Sequence, residues 1–556
     1  MKKNSFTYKD TATIHMRRNK FDLSHRQLST CTVGRLQPFL VQEVYPGDTF
    51  KIDETTITKV SSAFIKPPMG NLFFETYYFF VPHRLTFKDF ENVVGLEADP
   101  DAWDSPSETT VPMISAGQIG VKSVADFMRL PIVSSGQVPA VSVLPFRAFA
   151  KVYDYWFRNQ NVIDKMNVQS GALSGENLNI NPWSPSNYTG MCPSVGKYKD
   201  IFTTALPKPQ KGDDVQIPIG IPQTYLDTAN DANQFSSGVP LYMNAPGDVL
   251  PNYEGSNTAF LFGWNVNNTS FPKVDTMSSS LSGLEVVGDG ISGTNLILPA
   301  VESGSFTIND LLTATAMQRE LARIARVGSR YQEILAGIWG VDSPDARLQR
   351  PEYLAGKRTL IQFQQVAQTS SSTSDSYQAN LTAYSNTMNK NYVAKSFVEH
   401  GYIIGVCCIR QQHVYQDNVE RFWTRNSRTE FYSPSFAHLP EVPVYQSEIK
   451  YTGFANTATV FGFQEAWYDL RHRAGAITGE MRSEANNTLD IWHFGDEYTN
   501  APVLSKEFIE ETPNFVDRTL AVPSSSQDQF ILDTWFEIEA IRRLPVHSIP
   551  SFVGSY

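Results

Sequence analysis

The 556-residue sequence is short of the features that identify most functional classes at once. It has only four cysteines, Cys31, Cys192, Cys407 and Cys408. None forms a C-x-x-C pair and none has histidines at metal-ligand spacing, which argues against a disulfide scaffold and a zinc site. In a strand, adjacent Cys407 and Cys408 would point to opposite faces, so the four read as buried thiols in a reducing compartment. Long apolar runs are also missing. The longest, Tyr402 to Ile409, is about half a membrane span. The N-terminal MKKNSFTYKDTATIHMRRNK lacks the apolar core of a signal peptide, which predicts a chain made and kept in a cytoplasm with no membrane span. Basic charge is scarce: 46 Lys plus Arg stand against 57 Asp plus Glu, a net charge of -11, with 41% hydrophobic residues. That composition excludes a disordered chain and a generally basic nucleic-acid binder.

Catalytic signatures are missing as well. There is no G-x-x-x-x-G-K-[ST], no H-E-x-x-H and no G-x-S-x-G. Gly288-Asp-Gly290-Ile-Ser-Gly293 matches G-x-G-x-x-G, but Thr294 to Pro299 reads as a strand where a phosphate site needs a helix N-terminus. A turn in a hairpin is the better reading. The nine histidines are scattered singly, and His472, between Arg471 and Arg473, reads as a polar contact. Nothing here predicts an enzyme, a cofactor or a metal site.

What is present is β structure along the whole chain. Leu36 to Val44, Thr49 to Val60 and Glu75 to Val81 read as strands, the first two joined by a Tyr45-Pro46-Gly47-Asp48 turn suited to type II. Further strands are expected at Phe397 to Arg410, Thr457 to Phe463 and Gln529 to Arg542. In the last, Phe530, Leu532, Phe536, Ile538 and Ala540 alternate with Asp533, Glu537 and Glu539, the pattern of a strand with one buried face. A length prior of roughly 150 residues per domain suggests three or four domains. Strands at both ends of the chain point instead to one β core with long excursions. Helices are few. Phe146, Phe149, Tyr153 and Trp156 recur at helical spacing, Ser123 is placed to cap a short helix ending before Pro131, and the best helix runs from Ile308 to Val327 with Gly328 as its stop.

Charge is unevenly distributed. Residues 1–35 carry eight basic residues against Asp10 and Asp22, a local +6, leaving -17 for the remainder. With Phe6, Tyr8 and Phe21 among them, such an arm can neutralise phosphates and stack on unpaired bases, Lys2, Lys3, Lys9, Arg17, Arg18 and Lys20 being the candidates. A solvated tail is the competing reading. Arg319, Arg323, Arg326 and Arg330 would share one helix face if the helix continued past Gly328, and four guanidinium groups in a stripe need anions from the chain itself, a neighbouring subunit or nucleic acid. Residues 221–303 hold one basic residue, Lys273, and eight acidic ones. Phe260, Phe262 and Trp264 make this a folded surface excursion more readily than a disordered loop.

Several strings are more specific. FDLSH (Phe21 to His25), EVYPGDTFKI (Glu43 to Ile52), YYFFVPHRL (Tyr77 to Leu85), LPFRAFAKVYDYWFRNQN (Leu144 to Asn161), ALPKPQKGDDVQIPIG (Ala205 to Gly220), ARVGSRYQEIL (Ala325 to Leu335), DARLQRPEYLAG (Asp345 to Gly356), EHGYIIG (Glu399 to Gly405), FGFQEAW (Phe461 to Trp467) and IRRLPVHSIP (Ile541 to Pro550) resemble the major capsid protein of microviruses, the small circular single-stranded-DNA phages. The likeness is strongest to the gokushovirus branch. The resemblance implies a mainly β fold, an eight-stranded antiparallel jelly roll with long insertions containing a few helices, assembled with copies of itself into a T=1 icosahedral shell around single-stranded DNA. In that reading residues 1–35 are a basic arm facing the genome, 36–220 and 304–556 a discontinuous core, and 221–303 a protrusion near the three-fold axes. Phe260, Trp264 and Asn267 are candidates for attachment to a receptor on the host bacterium. The resemblance also implies an internal scaffolding protein, a DNA pilot protein and a small basic packaging protein as partners, with assembly in the host cytoplasm and residence in the virion. The rival is a glycan-binding or glycan-hydrolysing β sandwich, suggested by Trp, Tyr and carboxylates in the insertion.

Overall fold

The computed structural model describes residues 17–95, 109–173, 176–213, 215, 308–373 and 378–547, with the backbone of five short strands between 227 and 297. Ten strands build its centre: β1 (Asn19–Asp22), β2 (His25–Cys31), β3 (Gln37–Val44), β4 (Thr49–Val60), β5 (Leu72–Pro82), β6 (Glu352–Leu360), β7 (Phe363–Ala367), β8 (Leu381–Ser396), β9 (Gly401–Gln411) and β10 (Phe530–Arg542). The alternation read in the last segment is the alternation observed. Phe530, Leu532, Phe536, Ile538 and Ala540 are buried while Ile531, Trp535 and Glu537 face solvent. The turn between β3 and β4 closes with Asp48 N donating to Tyr45 O at 3.0 Å and Gly47 at φ +87°, where a side chain would be strained.

All pairings among these strands are antiparallel. One sheet has the order β1, β10, β4, β8, β7, with β2 pairing the other half of β10; the second has the order β6, β5, β9, β3. Because β1 and β2 lie end to end along β10, and β7 follows β6 after two residues, the arrangement reduces to four strands facing four, consecutive strands mostly exchanging sheets. Between the sheets lies one core: Phe50, Ile52, Phe530, Phe536 and Ile538 from the first meet Tyr78, Phe80, Ile403 and Cys407 from the second. The four-stranded sheet is buried on its other face too. There Phe79, Val81, Ile404, Val406 and Cys408 pack on a helical layer that includes α1 (Val124–Phe127) and α2 (Leu144–Val152). A strand buried on both sides needs apolar residues at every position, which is why GYIIGVCCI reads as a continuous run. Cys407 and Cys408 do point into opposite cores, and all four cysteines are buried free thiols.

Ser123 caps α1, accepting from Asp126 N at 3.2 Å. Helix α2 continues as a π-turn over Tyr153–Phe157, leaving Trp156 stacked on Phe79 with ring centroids 5.4 Å apart. Helix α3 (Ile308–Val327) ends where Gly328 takes φ +114°, and α4 (Tyr331–Gly337) follows. Some expectations shift. Residues 19–31, read as part of a basic arm, are the edge strands β1 and β2, since their short alternation is enough once β10 supplies a partner. The strand expected from Phe397 starts at Gly401, and that expected over Thr457 to Phe463 is a 3-10 turn, Phe454–Thr457, followed by a strand at Val460–Gln464.

The chain divides into two compact units, Met1–Lys211 with Ala322–Tyr556 and Gly212–Leu321. The second contains a three-stranded sheet of Asp227–Asp231, Gln234–Phe235 and Leu296–Ile297, and a ribbon of Tyr242–Asn244 with Glu285–Val287. The rest of 221–303, including the glycine-rich 288–293, lies outside the described residues.

Candidate functional site

Charged side chains aimed at solvent are where a non-catalytic protein meets its partners, so the basic candidates come first. Arg18 donates from Nη2 to Thr49 Oγ1 at 2.6 Å, and Lys20, in β1, pairs with Glu539. Both are therefore fixed along the edge of the six-stranded sheet. Arg17 is exposed, while Lys2, Lys3 and Lys9 lie outside the described residues.

The arginine stripe is broken at its fourth member. Gly328 stops α3, and Arg330 becomes the N-cap of α4, its guanidinium donating to the carbonyls of Tyr155 and Asp154 at 2.8 Å each. The continuation that would align Arg330 with the other three does not occur, because a residue at positive φ turns the chain out of the helix. Arg326 pairs with Glu441 and, at 3.5 Å, with Glu465. Arg319 and Arg323 are exposed on α3. Phe260, Trp264 and Asn267 lie outside the described residues.

Among the described residues, buried polar networks hold distant segments together, and sequence reasoning found none of the three that follow. In the sandwich core, Glu54 accepts from Thr56 Oγ1 at 2.6 Å and Tyr78 Oη at 2.8 Å, with Asn389 Nδ2 at 3.3 Å. Burial pushes its carboxyl up, against those hydrogen bonds. On β5, inside the four-stranded sheet, Glu75 accepts from Arg410 Nε at 2.9 Å and from Tyr198 Oη at 2.5 Å. Arg358 lies 3.7 Å from the Phe73 ring and 4.0 Å from that of Tyr198. The third network centres on His413, whose Nδ1 lies 2.7 Å from Asp496 and Nε2 2.9 Å from Glu511. Lys197 reaches the same Asp496 at 3.3 Å and Tyr498 Oη at 2.9 Å. Burial alone would push the imidazole down. The Glu511 and Asp496 carboxylates overturn that and hold it at about 9, a buried imidazolium at neutral pH.

No signal in the sequence links Lys197, His413, Asp496 and Glu511, which are brought together only by folding. Their chemistry is structural: each charge is spent on another buried charge, tying the ends of long excursions to the sandwich. Open recesses of about 350 and 400 Å³ flank Arg471 to Arg473, where Arg473 pairs with Glu420 and Arg471 with Glu465. His472 lines both recesses, and its backbone N–H donates to Tyr468 O at 2.9 Å. Burial pushes the Cys192 and Cys408 thiols well up, away from the reactive thiolate. Among the described residues no cluster of three or more His, Cys, Asp or Glu could hold a metal, and no helix is long and apolar enough to cross a membrane.

Comparison with known proteins gives a consistent result along the full length. A family model described as "Capsid protein (F protein)" matches residues 10–552. The chain is similar to the capsid protein VP1 of Chlamydia phage 1, 36% identical with 99% of this chain and 97% of that protein covered. It is also similar to the capsid proteins VP1 of Bdellovibrio phage phiMH2K, at 34% identity with 100% and 99% covered, and of Spiroplasma virus 4, at 33% with 96% and 95% covered.

Proposed function

The chain belongs to the F-protein family of phage capsid proteins, and from that premise we propose how it builds a shell and what its charged regions do there. It is a structural protein of a small single-stranded-DNA phage virion, not an enzyme. The observation that carries this is the match of the whole chain, in order, to capsid proteins. A sandwich with consecutive strands exchanged between its sheets supports the jelly-roll reading, and the large excursions supply the surface by which copies associate. Electron microscopy of purified particles tests it: closed icosahedral shells of megadalton mass are expected, and monomers that bind or cleave a glycan would replace the reading with its rival.

Within the shell, the basic residues up to Arg18 face the genome, where Lys2, Lys3, Lys9, Arg17 and Arg18 neutralise phosphates. A net charge of -11 is compatible with this because neutralisation is local. A charge-neutral arm variant should package less DNA and lose the salt sensitivity of packaging; normal packaging with unchanged salt dependence refutes the role. The acidic segment 221–303 forms a protrusion used in host attachment, through Phe260, Trp264 and Asn267. Deleting 225–300 should abolish adsorption, and normal adsorption by the deleted particle removes the receptor role. A scaffolding protein, a pilot protein and a small basic packaging protein complete the assembly in the host cytoplasm.

A further inference from the structure

The two sheets of the sandwich differ in one respect. The four-stranded sheet is covered on its outer side by helices, whereas the outward face of the six-stranded sheet carries large exposed side chains. Cross-strand register fixes their order. One row holds Arg26, Trp535, Thr55 and Lys390, and the next holds Glu537, Asp53 and Tyr392. Trp535 is 48% exposed and Tyr392 56%; Tyr384, eight residues back along β8 on the same face, is 45% exposed. Trp535 and Tyr392 stand two strands and one row apart, roughly 12 Å, so neither ring covers the other. Each can take a flat partner of its own.

Charges of both signs are interspersed here, and what matters is which are already used. Lys20, Lys51 and Arg26 pair with Glu539 and Asp533. Lys390, in the row of Trp535, and Lys59, on the same face of β4, are exposed and have no ion pair among the described residues. An unpaired lysine in the same row as an exposed indole offers what a single nucleic-acid strand needs, an ammonium for its phosphate and a ring for its unpaired base. Asp53 and Glu537, opposite one another beside Tyr392, are unsuited to phosphates but can accept from base amino groups, which turns the bases toward them. The face is also continuous with the basic start of the chain. Arg18 donates to Thr49 Oγ1, in the outward row of Lys20 and Ile541, so the arm joins the sheet at one corner of this face. Thr49 and Thr55 are six residues apart on β4, so a strand held at that corner is roughly 20 Å from the row of Trp535.

We propose that the outward face of the six-stranded sheet binds single-stranded DNA, with unpaired bases stacked on Trp535 and Tyr392 and backbone phosphates on Lys390 and Lys59. This rests on the reading of the chain as a shell around single-stranded DNA, and it extends the genome-facing surface from the arm onto the folded sheet. Duplex DNA is excluded from this mode, because its bases have no free faces to stack on the rings.

Binding of a labelled oligothymidylate to the full-length soluble subunit, measured by anisotropy over a range of salt, tests it, with the melting temperature as folding control. Trp535→Ala and Tyr392→Ala should each weaken binding by about fivefold or more, and Trp535→Phe, which keeps a ring, should recover most of the loss. Lys390→Gln should lower the slope of log affinity against log salt by about 0.7, the share of one phosphate on a single strand. Ring and lysine variants that bind like wild type overturn the face, as does a wild-type subunit that does not bind. An arm variant with Lys2, Lys3 and Lys9 neutralised is measured alongside: if it alone weakens binding, the arm reading stands and the face falls, and if only the face variants do, the reverse holds. Variants that bind the oligonucleotide normally but no longer form particles overturn the proposal in favour of a protein contact. Should a ring variant fail to fold, ultraviolet cross-linking of filled wild-type particles decides. Nucleotide adducts are expected on the peptides holding Trp535 and Tyr392, and adducts confined to other peptides overturn the contact.

Discussion

The buried imidazolium of His413 makes the subunit's stability depend on pH above neutrality. Its side chain is 2% exposed and lies between the carboxylates of Asp496 and Glu511. An unfolded histidine titrates near 6.5 and this one near 9 when folded. A folded value raised above the unfolded one contributes stability that is fully present below about 6.5 and is lost as pH rises through about 9. The difference corresponds to roughly 3 kcal/mol. Asp496 sets the acid limit. Burial would raise its carboxyl, but His413 and Lys197 hold it at about 2, so its contribution is present above about 4 and is lost as pH falls through about 2. Between about pH 4 and 6.5 the cluster is therefore at full strength. His413→Gln removes the charge while keeping hydrogen-bonding capacity, and leaves Asp496 with Lys197 and Glu511 without a cation. At pH 6 it should cost about 3–5 kcal/mol in urea unfolding of the purified subunit. By pH 9.5 the gap between variant and wild type should narrow by roughly 3 kcal/mol, because the wild type has lost the same charge. Parallel pH profiles for the two proteins would refute a charged His413.

Other sites give sharper or blunter responses. Gly34 has φ +83° and a Cβ there would sit 2.5 Å from the Glu511 carbonyl oxygen; Gly34→Ala should lower the melting temperature by an amount equivalent to about 2 kcal/mol or more, and an unchanged melting curve would contradict the close approach. Arg326 pairs with Glu441, whose side chain is 1% exposed, so Arg326→Ala should destabilise the subunit by about 2–4 kcal/mol, whereas Arg323→Ala should stay within about 0.5 kcal/mol in the same unfolding assay. Glu54 is buried with its carboxyl pushed up, so Glu54→Gln should flatten the stability gain on acidification, while Glu54→Ala should leave the Tyr78 hydroxyl without its acceptor, Asn389 keeping Thr76, and cost about 1–2 kcal/mol more than the glutamine variant in the same assay.

The strands that could be read from sequence were those with an unambiguous inner face. In β10 every inner side chain except Thr534 and the terminal Arg542 is apolar, and in β9 both faces are apolar as far as Ile409. Strand β8 escaped because its inner row runs through Ser385, Thr387, Asn389 and Asn391, all buried. Those residues look like loop chemistry until Glu54, Thr76 and Thr359 are placed opposite to bond them. Strands β1 and β2 were hidden for a related reason: in HRQLSTC only Cys31 is fully buried, and the basic residues around it suggested a free arm. The end of α3 was legible at Gly328, since a glycine after a periodic segment signals a positive φ locally. The fate of Arg330 depended on that stop and on the carbonyls of Tyr155 and Asp154, which are 175 and 176 residues away.

Local order along the chain, meaning alternation, caps, turns and shared strings, by itself determined a mainly β protein built like a phage capsid subunit, with its charge divided between a basic start and an acidic insertion. Only the tertiary structure decided which charges are used internally and which remain for partners. Lys20, Arg326 and Arg330 look equivalent to Arg17 and Arg323 in the sequence, yet the first three are bound to carboxylates or carbonyls of remote segments. The pairing of Asp53 with Glu537 on an open face, 484 positions apart, is likewise set by the register of β4 against β10. Short-range patterns specify how each segment folds; which side chains meet across hundreds of residues depends on how the sheets pack, and electrostatic partners are chosen at that level.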